Sequence, residues 1–208
     1  LTVPEPQDRA VALAVPRNVQ VDLLEASAVV PIGKQRIEEP RDVKRLRLRI
    51  EGADLSSPDL QGVGQRVEGD VVELTDARDL TAEADDQDLA PYLRPEPFIE
   101  SDAPEILAEA TRMLEGVTDP RARVERLTRR VNALLDKKPT VSLPSAVEVL
   151  RTKVGDCNEH TALFVALARA AGIPSRIAVG LVSVRNAFYY HAWPEVYFPE
   201  IGWVEFEP

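Results

Sequence analysis

Between Arg45 and Ile50, arginine and an aliphatic residue alternate strictly, the period-two pattern of a strand with one wet and one buried face. Related short runs, RAVALAV, VQVDLL, VKRLRLRIEG and GDVVELTD, fill the first part of the chain and predict a small β-rich domain over residues 1–92. The string ARDLTAEADDQDLAPYLRPEPFIESDAP is acidic, then proline-rich, and reads as a linker whose acidic run is solvated. Beyond it the apolar spacing changes to three and four, which predicts helices over EILAEATRMLEGV, with Pro104 in the first turn after Ser101 or Asp102, and over RARVERLTRRVNALLDK after Asp119-Pro120. Ser145 and Glu148 have capping-box spacing and predict a short helix over AVEVLRTK that delivers the chain to Gly155-Asp156-Cys157. A further helix runs from Cys157 to the Gly172 and Pro174 stop signals, with Leu163, Phe164, Leu167 and Ala170 on its buried face and small alanines allowing close packing. Three strands follow, SRIAVGLVSV, AFYYHAWPEVYF and GWVEFE, joined by turns at Arg185-Asn186 and Pro199–Gly202. An antiparallel meander against helices is an α+β fold, and it defines a second domain over residues 93–208.

With 208 residues, 44% of them hydrophobic, the chain has the volume for a real core in one large or two small domains. A net charge of −10 argues against nucleic acid, whose phosphates require a basic face, and favours protein or peptide partners. No apolar run is long enough to span a membrane. Because the chain opens at Leu1, upstream targeting or anchoring sequence is expected to have been removed, and an extracytoplasmic location in a bacterium is expected. Cys157 is the only cysteine, so no internal disulfide forms.

That cysteine falls where a loop gives way to a helix. Unpaired N–H groups and the helix dipole there favour a thiolate, so its pKa is expected below the free value of about 8.5. His191 follows in a strand-like alternation, and Glu207 lies near the chain end. A thiol must lose its proton to attack a carbonyl carbon, an imidazole can take that proton and return it to the leaving group, and an acid can fix the imidazole's tautomer. Register complicates the third member. Pairing Phe198 with Trp203 would put Glu207 opposite Pro194 and on the face away from His191, unless the hairpin holds a bulge or an odd-length turn; otherwise Glu195 or Glu205 becomes the orienting acid. His160 reads as structural, and Trp193 as the best candidate for a cleft wall. A three-ligand zinc site on Cys157, His160 and His191 is the alternative chemistry, but no second cysteine or paired-ligand motif supports it, and neither a metal nor a cofactor is expected.

The segment GDCNEHTALFVALARAAGIPSRIAVG, followed by YYHAWPEVYFPEIGWVEFEP, resembles the transglutaminase-like superfamily in its bacterial branch, over roughly residues 96–208. The resemblance implies a papain-like core, with Cys157 as nucleophile, His191 as base and Glu207 where the family usually has the Asp of an Asp-Pro pair. It also implies a core that continues past that pair, so the domain is expected to be cut short at its C-terminus. Two departures stand out: Glu207 carries an extra methylene, and NALLDKKPTVSLP lacks the upstream aromatic that often helps hold the oxyanion. The implied activity is cysteine-dependent acyl transfer at amide bonds through a thioester, as a peptidase or amidase (hydrolysis preferred) or a protein-glutamine transferase. The competing expectation is a non-catalytic interaction domain that retains the fold.

Overall fold

The helix that starts at Cys157 carries apolar or small residues on almost every side, and it becomes the axis around which the other elements pack. In the computed structural model, which describes residues 28–32, 37, 39, 42–56, 60–62, 64–76, 88–138 and 145–206, the second half of the chain forms four helices. They are α1 (Pro104–Leu114), α2 (Pro120–Leu134), α3 (Ala146–Thr152) and α4 (Cys157–Ala170). Helices α1, α2 and α3 each pack on α4. Every residue of α4 from Thr161 to Ala168 is essentially sealed from solvent. The sequence pattern predicts one buried face; the alanines instead let the helix be surrounded. Phe164, Leu163, Leu167, Ile106, Met113, Leu127 and Val131 make the centre of the core.

Helix starts follow the sequence signals with two exceptions: α1 is entered from Ala103, without a side-chain cap, rather than from Ser101 or Asp102, and α3 is not capped by Ser145. Pro104 and Pro120 take first-turn positions, and the Asp119 side chain accepts from the Ala122 N–H at 2.8 Å. Ser145 makes no cap on α3. It hydrogen-bonds Glu100, whose carboxylate also accepts from the Ala146 N–H at 3.0 Å, so a residue far away in sequence does the capping expected of Ser145.

Strands β1 (Arg45–Arg49), β2 (Gln65–Glu68) and β3 (Val71–Thr75) form an antiparallel sheet in the order β1-β3-β2, with Leu46 and Leu48 half-buried between exposed arginines. RAVALAV and VQVDLL lie outside the described residues. Of the expected linker, the part from residue 88 onward is packed structure: a 3-10 turn over Ala90–Leu93, and Ile99 and Ser101 buried. A two-residue parallel ladder, β4 (Asp136–Lys137) with β5 (Val154–Gly155), was not legible in the sequence.

The closing sheet has the order β6-β7-β8, with β6 at Ser175–Val184, β7 at Ala187–Phe198 and β8 at Gly202–Glu205. Arg185 and Asn186 both have positive φ, as a tight hairpin turn requires. The chain divides into two compact units, Leu1–Glu38 with Leu181–Tyr190, and Glu39–Gly180 with His191–Pro208. Within the first, Val29 and Phe188 exchange both backbone hydrogen bonds at 2.8 Å. The candidate active-site residues described below belong to the second.

Candidate active site

The string Gly155-Asp156-Cys157-Asn158-Glu159-His160 is a helix-starting device. Asp156 is the N-cap, its Oδ1 accepting from the Asn158 N–H at 3.0 Å, and the Glu159 carboxylate reaches back to the Asp156 N–H at 3.0 Å, which completes a capping box. Returning that side chain to the N-cap leaves no room above residue 155. A Cβ built there would stand 2.2 Å from the Glu159 Cβ, so only glycine fits. Gly155 is further held from the end of β4, where the Lys138 N–H donates to its carbonyl at 3.1 Å. His160 adds a fourth restraint: its Nδ1 lies 2.7 Å from the Asp156 carbonyl oxygen, which can only accept, so Nδ1 carries the proton. The other nitrogen, Nε2, is a buried lone pair without a partner among the described residues. Burial pushes the His160 pKa down, and the bond to Asp156 opposes that only in part.

Cys157 is thereby fixed as the first residue of α4, half-buried. The peptide N–H groups of Ala192, Cys157 itself and Asn158 favour its thiolate, but burial outweighs them and the Asp156 carboxylate adds to burial, so its pKa is raised rather than lowered. The N–H groups of a helix start lower a thiol's pKa only where desolvation and a neighbouring acid do not outweigh them, as they do here.

Strand β7 alternates cleanly. Ala192, Pro194 and Val196 face the core, while His191, Trp193, Glu195 and Tyr197 occupy the other face half-buried. Helix α4 grips the Ala192 peptide unit from both sides: Thr161 Oγ1 donates to its carbonyl at 3.1 Å and its N–H meets the Cys157 sulfur. The nucleophile candidate is thus tied to the residue next to His191. Neither Thr161 nor Ala192 was singled out by sequence reasoning. The signal that locates this start in the sequence is the Asp-x-x-Glu spacing of Asp156 and Glu159, which has the capping-box form and positions Cys157.

The β7–β8 hairpin pairs Phe198 with Gly202 across a three-residue turn, not with Trp203 across four. Odd-numbered residues of β8 therefore share the face of His191, and the Phe206 N–H donates to the Pro194 carbonyl at 3.0 Å in the same register. Pro194 makes no irregularity. Glu195 is engaged by Arg176, whose Nε donates at 2.6 Å and whose guanidinium lies 4.2 Å from the Trp203 ring centroid. Glu205 sits directly across from Glu195. Glu207 lies outside the described residues. Among the described residues no three His, Cys, Asp or Glu side chains gather to hold a metal ion, so the zinc alternative on Cys157, His160 and His191 is not formed. No described helix is long and apolar enough to cross a membrane.

A helix-borne cysteine docked against an antiparallel sheet is the arrangement of the papain-like core. Residues 108–208 match the family model of the transglutaminase-like superfamily. The chain is 36% identical over 97 aligned positions to the uncharacterized protein YebA of Bacillus subtilis, an alignment that spans 37% of this chain and 13% of that protein. It resembles in fold a candidate cysteine protease from Cytophaga hutchinsonii (22% identity, TM-score 0.55, 66% of this chain and 50% of that one). It also resembles the periplasmic domain of TgpA from Pseudomonas aeruginosa, solved bound to ethylmercury (20% identity, TM-score 0.56, 79% of this chain and 72% of that one). The chain therefore spans about an eighth of YebA and half of the Cytophaga protein.

Proposed function

We propose that this protein is a cysteine-dependent acyl-transfer enzyme acting on peptide or protein amides, with Cys157 as nucleophile, His191 as base and Glu207 as the acid that orients the imidazole. The observation that carries the reading is the docking of Cys157, on a capped helix start, against the peptide group next to His191. A thiol whose proton is held by burial needs a base at the moment of attack, and this is the service an imidazole provides. In the reaction His191 takes the thiol proton as sulfur bonds to the amide carbon, and the N–H groups at the helix start stabilise the oxyanion. The intermediate then collapses to a thioester as the imidazolium returns the proton to the departing amine. Water resolves the thioester in hydrolysis, the preferred outcome, and an amine resolves it in transfer. The face parity of β8 supports an odd-numbered acid, and the engagement of Glu195 by Arg176 leaves it poorly suited to the role.

A division into a β-rich part over residues 1–92 and a catalytic part over 93–208 accompanies this reading, the first serving as packing scaffold or recognition surface. The likeness to a periplasmic domain supports an extracytoplasmic location. A second reading, an interaction domain without turnover, is favoured by the raised Cys157 pKa.

A thiol-directed peptide probe discriminates the two. An enzyme should be labelled stoichiometrically at Cys157 in a manner that depends on His191, and Cys157→Ala should abolish amide hydrolysis or amine transfer while leaving the fold intact. Full activity in Cys157→Ala would remove the catalytic reading. Glu207→Gln should cut turnover substantially, and Glu207→Asp should restore it. Loss in Glu205→Gln or Glu195→Gln without loss in Glu207→Gln would reassign the acid.

A further inference from the structure

His191 and Trp193 stand two residues apart on one face of β7, their rings 6.0 Å apart between centroids and inclined by only 24°. A side chain on a half-open sheet face has several staggered wells available, and a flat neighbour on one side removes those that would swing the ring toward it. The indole can do this only if it is itself immobile. It lies on Gly180 of β6: a Cβ built there would be 2.7 Å from Trp193 Cη2 and 3.3 Å from Cζ3. Gly180 is absent from the glycines with positive φ, so its backbone does not require glycine; the close approach of the ring does. The indole Nε1, sealed from solvent, has no hydrogen-bond partner among the described residues. An unsatisfied buried donor is a standing penalty, and a ring that retains it is held in place by packing alone.

We propose that Trp193 is the positioning residue for the His191 imidazole, and that position 180 is glycine so that the indole can lie flat against the strand and fix that ring. The proposal rests on His191 acting as base to Cys157. The other charged groups on this face are Arg176 and Glu195, bonded to each other, and Glu205 of β8 directly across from Glu195, while Asp156, Glu159 and His160 beside the thiol belong to the helix start.

The test is the pH dependence of Cys157 alkylation by iodoacetamide, measured on the full chain for wild type, His191→Ala, Gly180→Ala and Trp193→Phe. Near neutral pH, where the thiol needs its base, Gly180→Ala should react slower by at least about tenfold, toward the rate of His191→Ala. At alkaline pH above the raised thiol pKa, where the thiol ionises without the imidazole, it should match wild type, since β6 accepts alanine. Trp193→Phe keeps a flat ring over Gly180 and should retain most of the neutral-pH rate. Gly180→Ala superimposed on wild type, with His191→Ala displaced, would overturn the proposal and leave His191 as base. Gly180→Ala slowed equally at both pH values would overturn it as general damage. His191→Ala superimposed on wild type would remove the base itself, and the proposal with it.

Discussion

Asp156 does two opposed things to Cys157. Its side chain caps the helix that presents the thiol, and its charge helps hold the thiol proton on. Asparagine caps as well as aspartate but carries no charge, so Asp156→Asn should keep the urea midpoint and shift Cys157 alkylation to lower pH. Asp156→Ala should lose the cap and cost about 1 kcal/mol. An alkylation profile unmoved in the asparagine variant would mean that the carboxylate is too well solvated to matter. His160 yields a second residue-scale prediction. Its folded pKa lies below the unfolded value of about 6.5, so on acidification the unfolded chain binds the proton first. The contribution is intact above about 6.5 and is lost as pH falls from there to the folded pKa. His160→Asn keeps a donor near the Asp156 carbonyl and removes the titration. The variant should be less stable overall, because a buried ring is lost, but its urea midpoint should fall less steeply with pH across that window. An unchanged slope would show that the buried Nε2 is not what resists the proton.

At the scale of elements, the sequence was legible wherever one period ran long enough. Helix α4, strands β6 and β7, and the Arg185-Asn186 turn follow from spacing and stop signals in the chain itself. The misreadings share a cause, which is a partner distant in sequence. Ser145 resembles the first member of a capping box, yet Glu100 bonds the α3 start from 46 residues away. The β4–β5 ladder is too short to have a period, and the β7–β8 register turns on whether Pro199-Glu200-Ile201 closes with or without Gly202. At the candidate site, residue types and order were legible, whereas the grip of Thr161 on Ala192 and the raised thiol pKa required the packed structure. The glycine before the cap gives the element-scale prediction. In Gly155→Ala the added methyl meets the Glu159 Cβ, a helix atom with no freedom to swing aside, so the start of α4 must shift. Overpacking of this kind should cost about 1–3 kcal/mol in the urea midpoint and slow Cys157 alkylation as the thiol leaves Ala192. Unchanged values on both counts would show that the capping box can open without consequence.

For the molecule as a whole, Arg169 joins what the sequence pattern separated. Its guanidinium side chain is 2% exposed near the end of α4 and donates to the Ser175 carbonyl at 2.9 Å, the Arg94 carbonyl at 2.7 Å and Glu96 Oε1 at 3.0 Å. One side chain thus binds the entry to β6 and the proline-rich segment that composition marks as linker. Methionine preserves the stem and removes every donor, leaving the Ser175 and Arg94 carbonyls to find other partners. At about 1–3 kcal/mol for each of the two groups left unsatisfied, Arg169→Met should cost roughly 2–6 kcal/mol, a large fraction of a typical stability of about 5–15 kcal/mol. Glu96→Gln should cost under about 1 kcal/mol, because that carboxylate is 51% exposed and solvent already screens it. The two variants separate the pin from the ion pair. Limited chymotrypsin digestion adds a local readout, since release of the segment should speed cleavage after Tyr92, which is followed by Leu93, in Arg169→Met and leave Glu96→Gln near the wild-type rate. If Arg169→Met lost stability while the Tyr92–Leu93 bond stayed as protected as in wild type, the buried guanidinium would be holding α4 to β6 alone, and the segment before α1 would have to be anchored by Ile99 and its buried neighbours instead.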